Sequence, residues 1–547
     1  MSAEKITVGE VVARILEAHG VANVYGVISI HNLPVADAIG RRGQIAFVPA
    51  RGEAGCVTMA DAHARFAGLG VALTSTGAGA GNAIGSLIEA CNAASPVLHI
   101  TGQVEREYLD RDASFIHEAK DQLTFLKASS KAAFRISHPE SAAGIVREAI
   151  RIARSVPMGP VSIEIPIDVQ AAQIELPADL GPIEPAALPV PASAELESLV
   201  VQLKAAKRPL LWIGGGAAGC EAQVKALADK GVPVVSSTHG RGILPDSHPR
   251  SLRAFHNSAS FKDLCRDSDL VIVAGSRLRS NETLTYSLEL GQTLVQIDAH
   301  AAAQNRNYRA DRFICADARV ALAYLADALS DGEKVDADYD RAIALAVEQS
   351  VAALSDQVGN YAGICNALRE ALPEDGILVR DITISGSTWG SRLFEINGAN
   401  RNIHSLAGAI GLGLAHAIGS AVANPRKKVA AIVGDGGLML GIGEMATMVQ
   451  ENTDLVLIVM NDGGYGVMRG IQNSYFGGRQ YYNELHTPCY RDVGTAMGMP
   501  SWQVGSVEEF ATAIRDAIAI DGPAVIEVDM HRVGPLNFAG PPQKKLY

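Results

Sequence analysis

The sequence predicts an α/β protein of three domains, each with a central, mostly parallel sheet flanked by helices. Three observations predict it. Apolar runs of strand length alternate with helical stretches along nearly the whole chain, the pattern of repeated βα units. Two polar or proline-rich stretches divide that alternation into three. The length of 547 residues also fits three domains at about 100–200 residues each.

The first unit covers residues 1–175. Its opening, "MSAEKITVGEVVARILEAHGV", lacks the apolar core of a signal peptide and reads as a capped amphipathic helix. "QIAFVPA", "GVALTS", "SPVLHITGQ" and "PVSIEIPID" read as strands. Helical patterns separate them: "AGCVTMADAHARFA", "NAIGSLIEACNAA" and "SAAGIVREAIRIARS". The stretch 176–195, "LPADLGPIEPAALPVPASAE", is rich in proline and alanine and reads as an extended linker. A second unit, 196–328, carries "RPLLWIGGGAAG", "GVPVVSS", "SDLVIVAGSRL" and "QTLVQIDA". The acidic stretch 329–341, "LSDGEKVDADYDR", reads as a second linker. A third unit, 355–547, carries "GILVRDIT", "KKVAAIVGDGG", "DLVLIVMNDGGYG" and "PAVIEVDM". The first and third units are alike in size and pattern.

Composition narrows the function. A net charge of −12 gives no electrostatic case for nucleic acid. The seven cysteines, Cys56, Cys91, Cys220, Cys265, Cys315, Cys365 and Cys489, form no CxxC, which argues against zinc. An odd count without a secretory signal fits the reducing cytoplasm. The nearest approach to a membrane span, "SLAGAIGLGLAHAIGSAVA", contains His416 and few large apolar residues, so no membrane is expected.

The chemistry gathers at two strand ends. "VGDGG" places Asp435 among Gly434, Gly436 and Gly437. Glycines let the backbone approach a ligand closely, and a carboxylate there needs a partner. A cation among glycines suggests a phosphate. The next strand ends in Asn461-Asp462-Gly463-Gly464-Tyr465-Gly466. In a parallel sheet both junctions lie on the ligand-binding edge. Two hard oxygen ligands and a diphosphate make an octahedral Mg²⁺ site, and a helix starting near Gly437 would direct amides at the phosphates.

This pair of motifs resembles the signature of thiamine-diphosphate (ThDP) enzymes. The order of "FVPARGEAGCVTMADAHAR", "TSTGAGAGNAIGSLIEA", "PVLHITGQV", "GPVSIEIPIDV", "AGAIGLGLAHAIG", "VGDGG" and "MNDGGYG" resembles the acetolactate synthase/pyruvate oxidase/benzoylformate decarboxylase group over nearly all of the chain. The resemblance implies a ThDP-binding fold in the first and third units and a Rossmann-like central one. Glu53 then corresponds to the glutamate that drives the aminopyrimidine ring to its imino tautomer and so activates the thiazolium carbon. Asp435, Asp462 and the backbone oxygen of Gly464 would hold Mg²⁺, with Asn461 as the alternative to Asp462, where the family more often has asparagine. Gly408 and Ile410 match the segment under the aminopyrimidine, and Asn82 a helix start near the cofactor. Gly434, Gly436, Gly437, Tyr465 and Gly466 complete the cofactor set. Val467 and Met468 match positions that shape the substrate pocket.

The chain departs from the family at Gly52, where histidine is usual, at Ala54, where biosynthetic acetolactate synthases have glutamine, and near Ser75, where benzoylformate decarboxylases have histidine. His31 lies in the first loop, where benzaldehyde lyase also places a histidine. His117 matches a position often held by glutamine facing the substrate. Each is either a satisfied histidine or a proton shuttle. "NSYFGGRQYY" (473–482) and the C-terminal "GPLNFAGPPQKKLY" (534–547) read as an active-site loop and a lid or a tail.

The implied function is decarboxylation of a 2-oxo acid, followed by protonation of the enamine or its transfer to a second carbonyl. The alternatives are a benzaldehyde-lyase-like enzyme cleaving α-hydroxyketones without loss of CO₂, and a non-catalytic or nucleotide-binding α/β protein. FAD occupies the central unit of flavin-dependent relatives; "IGGGAAG" alone is weak evidence, and FAD is not favoured here. Because Glu53 and Asp435 are implied to meet across a subunit interface, a homodimer is the minimum and a homotetramer is expected.

Overall fold

The computed structural model describes residues 4–536, so residues 537–547 of the C-terminal lid or tail lie outside the described residues. It forms three α/β domains. The first contains β1 (Lys5–Thr7), β2 (Asn23–Gly26), β3 (Ala46–Pro49), β4 (Gly70–Thr74), β5 (Val97–Gln103), β6 (Ala132–Arg135), β7 (Val161–Pro166) and β8 (Gln173–Glu175). Strands β2 to β7 make a parallel sheet in the order β3-β2-β4-β5-β7-β6, and β1 pairs antiparallel with β8. The short strands β2 and β6 are additions to the four that the sequence marks.

The central domain contains β9 (Pro209–Ile213), β10 (Val234–Ser236), β11 (Leu270–Ala274), β12 (Leu294–Asp298) and β13 (Arg312–Cys315), parallel in the order β10-β9-β11-β12-β13. The third contains β14 (Ile377–Arg380), β15 (Asn402–His404), β16 (Val429–Gly434), β17 (Leu455–Asn461), β18 (Ser501–Val504) and β19 (Ala524–Asp529). Its parallel order, β15-β14-β16-β17-β19-β18, repeats that of the first sheet strand for strand. Likeness of size and pattern in the sequence thus reflects the same topology used twice.

The two divisions of the chain differ. Residues 176–192 form neither helix nor strand, and Arg147 Nε donates to the Gly181 carbonyl at 2.6 Å to hold them down. The acidic stretch 329–341 is only partly a linker, because a helix, Ala337–Val358, begins inside it. The Asp336 carboxylate accepts from the amides of Asp338 and Tyr339. Asp336, Asp338 and Asp340 are thus the cap and first turn of a helix, where its dipole favours negative charge. Tyr339 and Ile343 of this helix pack into the central core, while Leu354 and Val358 pack into the core of the third domain.

The first and third domains share one apolar core, which includes Cys56, Met59, Ile418 and Val433. The helix Glu53–Ala67 lies along the helix Gly413–Ala423. The small-residue run is therefore an interdomain packing face. Among the described residues no helix is long and apolar enough to cross a membrane. At Gly419 a Cβ would lie 2.3 Å from the Met59 carbonyl oxygen, a backbone atom with no freedom to move aside. Alanine there gains helix propensity of about 1 kcal/mol, but overpacking costs about 1–3 kcal/mol, and this clash is with backbone. Gly419→Ala is expected to lower stability, read as a lower urea midpoint than wild type.

Candidate active site

The C-terminal edge of the third sheet gathers the two aspartates. Asp435 follows β16 as the first residue of the short helix Asp435–Leu438, and it is buried. Its Oδ2 is enclosed without a hydrogen-bond partner among the described residues. Burial, and next to it Asp462, pushes the Asp435 carboxyl up to about 6, against the pull of amides from Asp462, Gly436 and Gly464. Buried Tyr490 donates its hydroxyl to the Asp435 carbonyl at 2.8 Å and fixes the start of the helix.

The loop after β17 supplies the other side. Gly464 has φ +153°, and a Cβ there would lie 2.0 Å from the Asn483 carbonyl oxygen. Only glycine allows that path. A Cβ on Gly436 would meet the Tyr465 ring at 2.8 Å and the Gly464 carbonyl oxygen at 3.1 Å, so Asp435, Asp462 and Gly464 converge. Asn461, the alternative to Asp462, turns away: its Nδ2 donates to Glu527 at 2.8 Å and its Oδ1 accepts from the Gly463 amide. Gly466 starts the following helix, on which Val467 is half-buried and Met468 exposed.

The segment with Gly408 and Ile410 reaches the same place. The Gly411 amide donates to Asp381 Oδ2 at 2.9 Å, and a Cβ on Gly411 would lie 2.9 Å from the Gly437 carbonyl. Ile410 remains partly exposed. Asp381 escaped the sequence reading. It is a buried carboxylate at the end of β14, pushed up by burial, that takes the Ile382 and Gly411 amides. Its only signal was its position after an apolar strand.

The N-terminal domain gathers a second set. Glu53 opens the helix Glu53–Ala67 after Gly52 and is half-buried. Asn82 Nδ2 donates to Glu53 Oε2 at 3.2 Å, and Oε1 would lie 2.6 Å from a Cβ on Gly79. His31 and His117, far apart in sequence, meet edge to face with ring centroids 5.1 Å apart. His31 is buried and its Nδ1 has no partner among the described residues. Burial, then the His117 ring, hold His31 below the usual imidazole range, so it is neutral at pH 7. His117 is exposed with φ +67°, and its carbonyl lies where a Cβ on Gly77 would collide.

Glu444 also escaped the sequence reading. This buried carboxylate of the third domain accepts from the amides of Arg51 and Gly52 at 3.0 and 3.1 Å. It holds the loop that presents Glu53. The signal could not be local, because the partners lie almost four hundred residues apart.

Two parallel-sheet edges thus carry the candidate groups, one a carboxylate at a helix start and the other glycines with two converging aspartates. Comparison with known proteins gives the family. Residues 6–125 match the N-terminal TPP binding domain of thiamine pyrophosphate enzymes, 196–325 the central domain and 385–528 the C-terminal TPP binding domain. The chain belongs to the thiamine-diphosphate-dependent enzymes of the acetolactate synthase group. It is 28% identical over 540 residues to the acetolactate synthase isozyme 1 large subunit of Escherichia coli, covering 96% of this chain and 94% of that one. It is 28% identical over 563 residues to the acetolactate synthase of Arthrospira platensis, covering 94% and 93%. A probable 2-ketoarginine decarboxylase of Pseudomonas aeruginosa is 26% identical over 531 residues, covering 96% and 94%.

Glu444→Ala leaves two backbone amides without their acceptor. A loss of stability of about 1–3 kcal/mol is expected, measured by urea unfolding, together with a fall in kcat as the loop before Glu53 loosens.

Proposed function

We propose that this chain is a ThDP- and Mg²⁺-dependent, acetolactate-synthase-like enzyme that decarboxylates a 2-oxo acid and passes the product carbon either to a proton or to a second carbonyl. The observation that carries this reading is Asp435, a buried carboxylate with an unpartnered oxygen beside a second carboxylate. A divalent cation supplies the missing partner, and hard oxygen donors suit Mg²⁺. Gly436 packs against Tyr465 and Gly464, and Gly437 against Asp381 and Gly411, so a side chain is excluded where the backbone would approach a diphosphate. Asp435, Asp462 and the Gly464 oxygen would hold the cation, with Gly408 and Ile410 beside the cofactor ring. ThDP, when bound, supplies the nucleophilic carbon and the electron sink that decarboxylation needs.

The chain's own residues do the rest. Glu53 exchanges a proton at its carboxylate, held by Asn82 at Oε2. Neutral His31 receives or gives a proton at its unpartnered Nδ1, and His117 lies next to it at the exposed side. Such a buried proton shuttle also serves the alternative, a lyase acting on α-hydroxyketones. The two differ in whether a 2-oxo acid yields CO₂.

The proposed assembly is a homodimer or homotetramer in the cytoplasm, with Glu53 facing Asp435 of the partner subunit. Exposed apolar side chains at both edges support it: Ile28, Ile30 and Ile116 by the histidine pair, Leu440 and Met468 by the aspartates. The seven cysteines are all free thiols, which fits a reducing compartment.

The expected result is Mg²⁺-dependent ThDP binding by calorimetry and CO₂ release from 2-oxo acids, both lost in Asp435→Ala. A wild type that binds no ThDP would overturn the reading.

A second reading concerns the central domain. A cavity of about 850 Å³ is lined by the turn Gly214–Gly216, by Arg277 and Arg279 and by Asp298. Gly214 and Gly216 abut Gly275, at the end of β11. This is the point between β9 and β11 where the strand order reverses, and such points bind nucleotides in open parallel sheets. The cavity favours an anionic dinucleotide more than the glycine cluster alone does. If FAD is the occupant, the purified protein absorbs near 450 nm; a colourless protein returns the cavity to another ligand.

A further inference from the structure

Asp462 brings negative charge to a site where an asparagine would offer the same oxygen without it. The structure supplies a counter-ion. Arg469 lies in the first turn of the helix Gly466–Tyr475. Its Nη2 is 2.8 Å from Asp462 Oδ2 and donates to the carbonyl oxygen of the same residue at 2.6 Å. One guanidinium therefore grips both the side chain and the main chain of Asp462. A fixed guanidinium holds a carboxylate orientation in a way a lone hydrated charge does not.

The grip depends on Gly466. A Cβ there would lie 1.8 Å from Asp462 Oδ2, so a larger residue would expel the carboxylate from this position. The side chains of Arg469 and Asp462 are 22% and 18% exposed, so the pair is more desolvated than an open surface bridge. The helix itself buries none of its residues, and the ion pair ties it to the loop that carries Gly464.

We propose that Arg469 is a positioning residue of the cation site: it neutralises Asp462 and leaves Oδ1, the carboxylate oxygen it does not hold, to face Asp435 and the cation. The inference rests on the ThDP and Mg²⁺ reading above. Asp462 and Arg469 together then do what a neutral amide ligand does alone. The competing view is that a partly exposed ion pair contributes nothing measurable.

The test is a double-substitution cycle on cofactor-free enzyme. ThDP affinity is measured by calorimetry over a range of Mg²⁺ concentrations for wild type, Arg469→Gln, Asp462→Asn and the double variant. Loss of a hydrogen bond to a charged group predicts about tenfold weaker binding in Arg469→Gln. Asp462→Asn alone leaves the guanidinium unpaired beside the cation and also weakens binding. The double variant, with neither charge, is expected to recover to within about threefold of wild type. Arg469→Lys keeps the charge but not the two-point grip and should fall between wild type and Arg469→Gln. Thermal melting of each cofactor-free variant separates a folding defect from a binding one. Wild-type affinity in Arg469→Gln, or a double variant as weak as Arg469→Gln, overturns the proposal while wild type still binds ThDP. A wild type that binds no ThDP at any Mg²⁺ concentration overturns both readings.

Discussion

The packing of the helix Glu53–Ala67 onto the third domain is the contact on which both sheet edges depend. The helix is held at its two ends by different chemistry. At its start, Glu444 takes the amides of Arg51 and Gly52. Toward its end, Asp61 bonds His416 Nε2 at 2.9 Å and pairs with Arg65, which donates to the His404 carbonyl. Burial by itself opposes ionisation of Asp61, but Arg65 and His416 outweigh it and hold the carboxyl well below the usual range. The stability that this gives is present above the ordinary carboxylate pKa and is lost only as pH falls through the depressed one. Removing one partner of such a buried set strands the others, which costs more than the set contributes when whole.

The same cluster reaches the segment that carries Gly408 and Ile410. Glu89, buried on a neighbouring helix of the first domain, accepts from the Ser405 hydroxyl and the amides of Leu406 and Ala407. Those residues lead directly into Gly408 and Ile410. Asp61, Glu89 and His416 lie close enough to suggest a metal site. The Arg65 guanidinium already bonds both carboxylates, however, and supplies the positive charge that a metal would bring. One domain thus sets the shape of a loop in the other through the buried hydrogen bonds of Glu89.

Two copies of one strand order carry unlike residues at their edges. In each, the ligand edge is formed where parallel strands end and helices begin. The first domain spends that edge on a carboxylate at a helix start and a pair of histidines. The third spends it on glycines and aspartates. The difference lies in loop residues and not in the sheets, which is why likeness of pattern revealed the shared architecture while the motifs distinguish the two edges.

Much of this was legible in the chain itself. Periodicity marked the long buried strands β5, β16 and β17, because an apolar run of that length has no other stable fate in a parallel sheet. Short β2 and β6 escaped, since a few residues of mixed character carry no period. Glycine spacing marked Asp435 and Asp462, because close backbone approach is a local demand. The acidic stretch before Ala337 misled, because a capping aspartate and a solvated one look the same in sequence. What only the tertiary structure decided depends on contacts across hundreds of residues. These are the meeting of His31 with His117, the capping of the Glu53 loop by Glu444, the turn of Asn461 away from the site, and the Arg469 grip on Asp462. Local pattern reports which groups a chain owns; their partners follow from which surfaces pack together, and packing is a property of the whole fold.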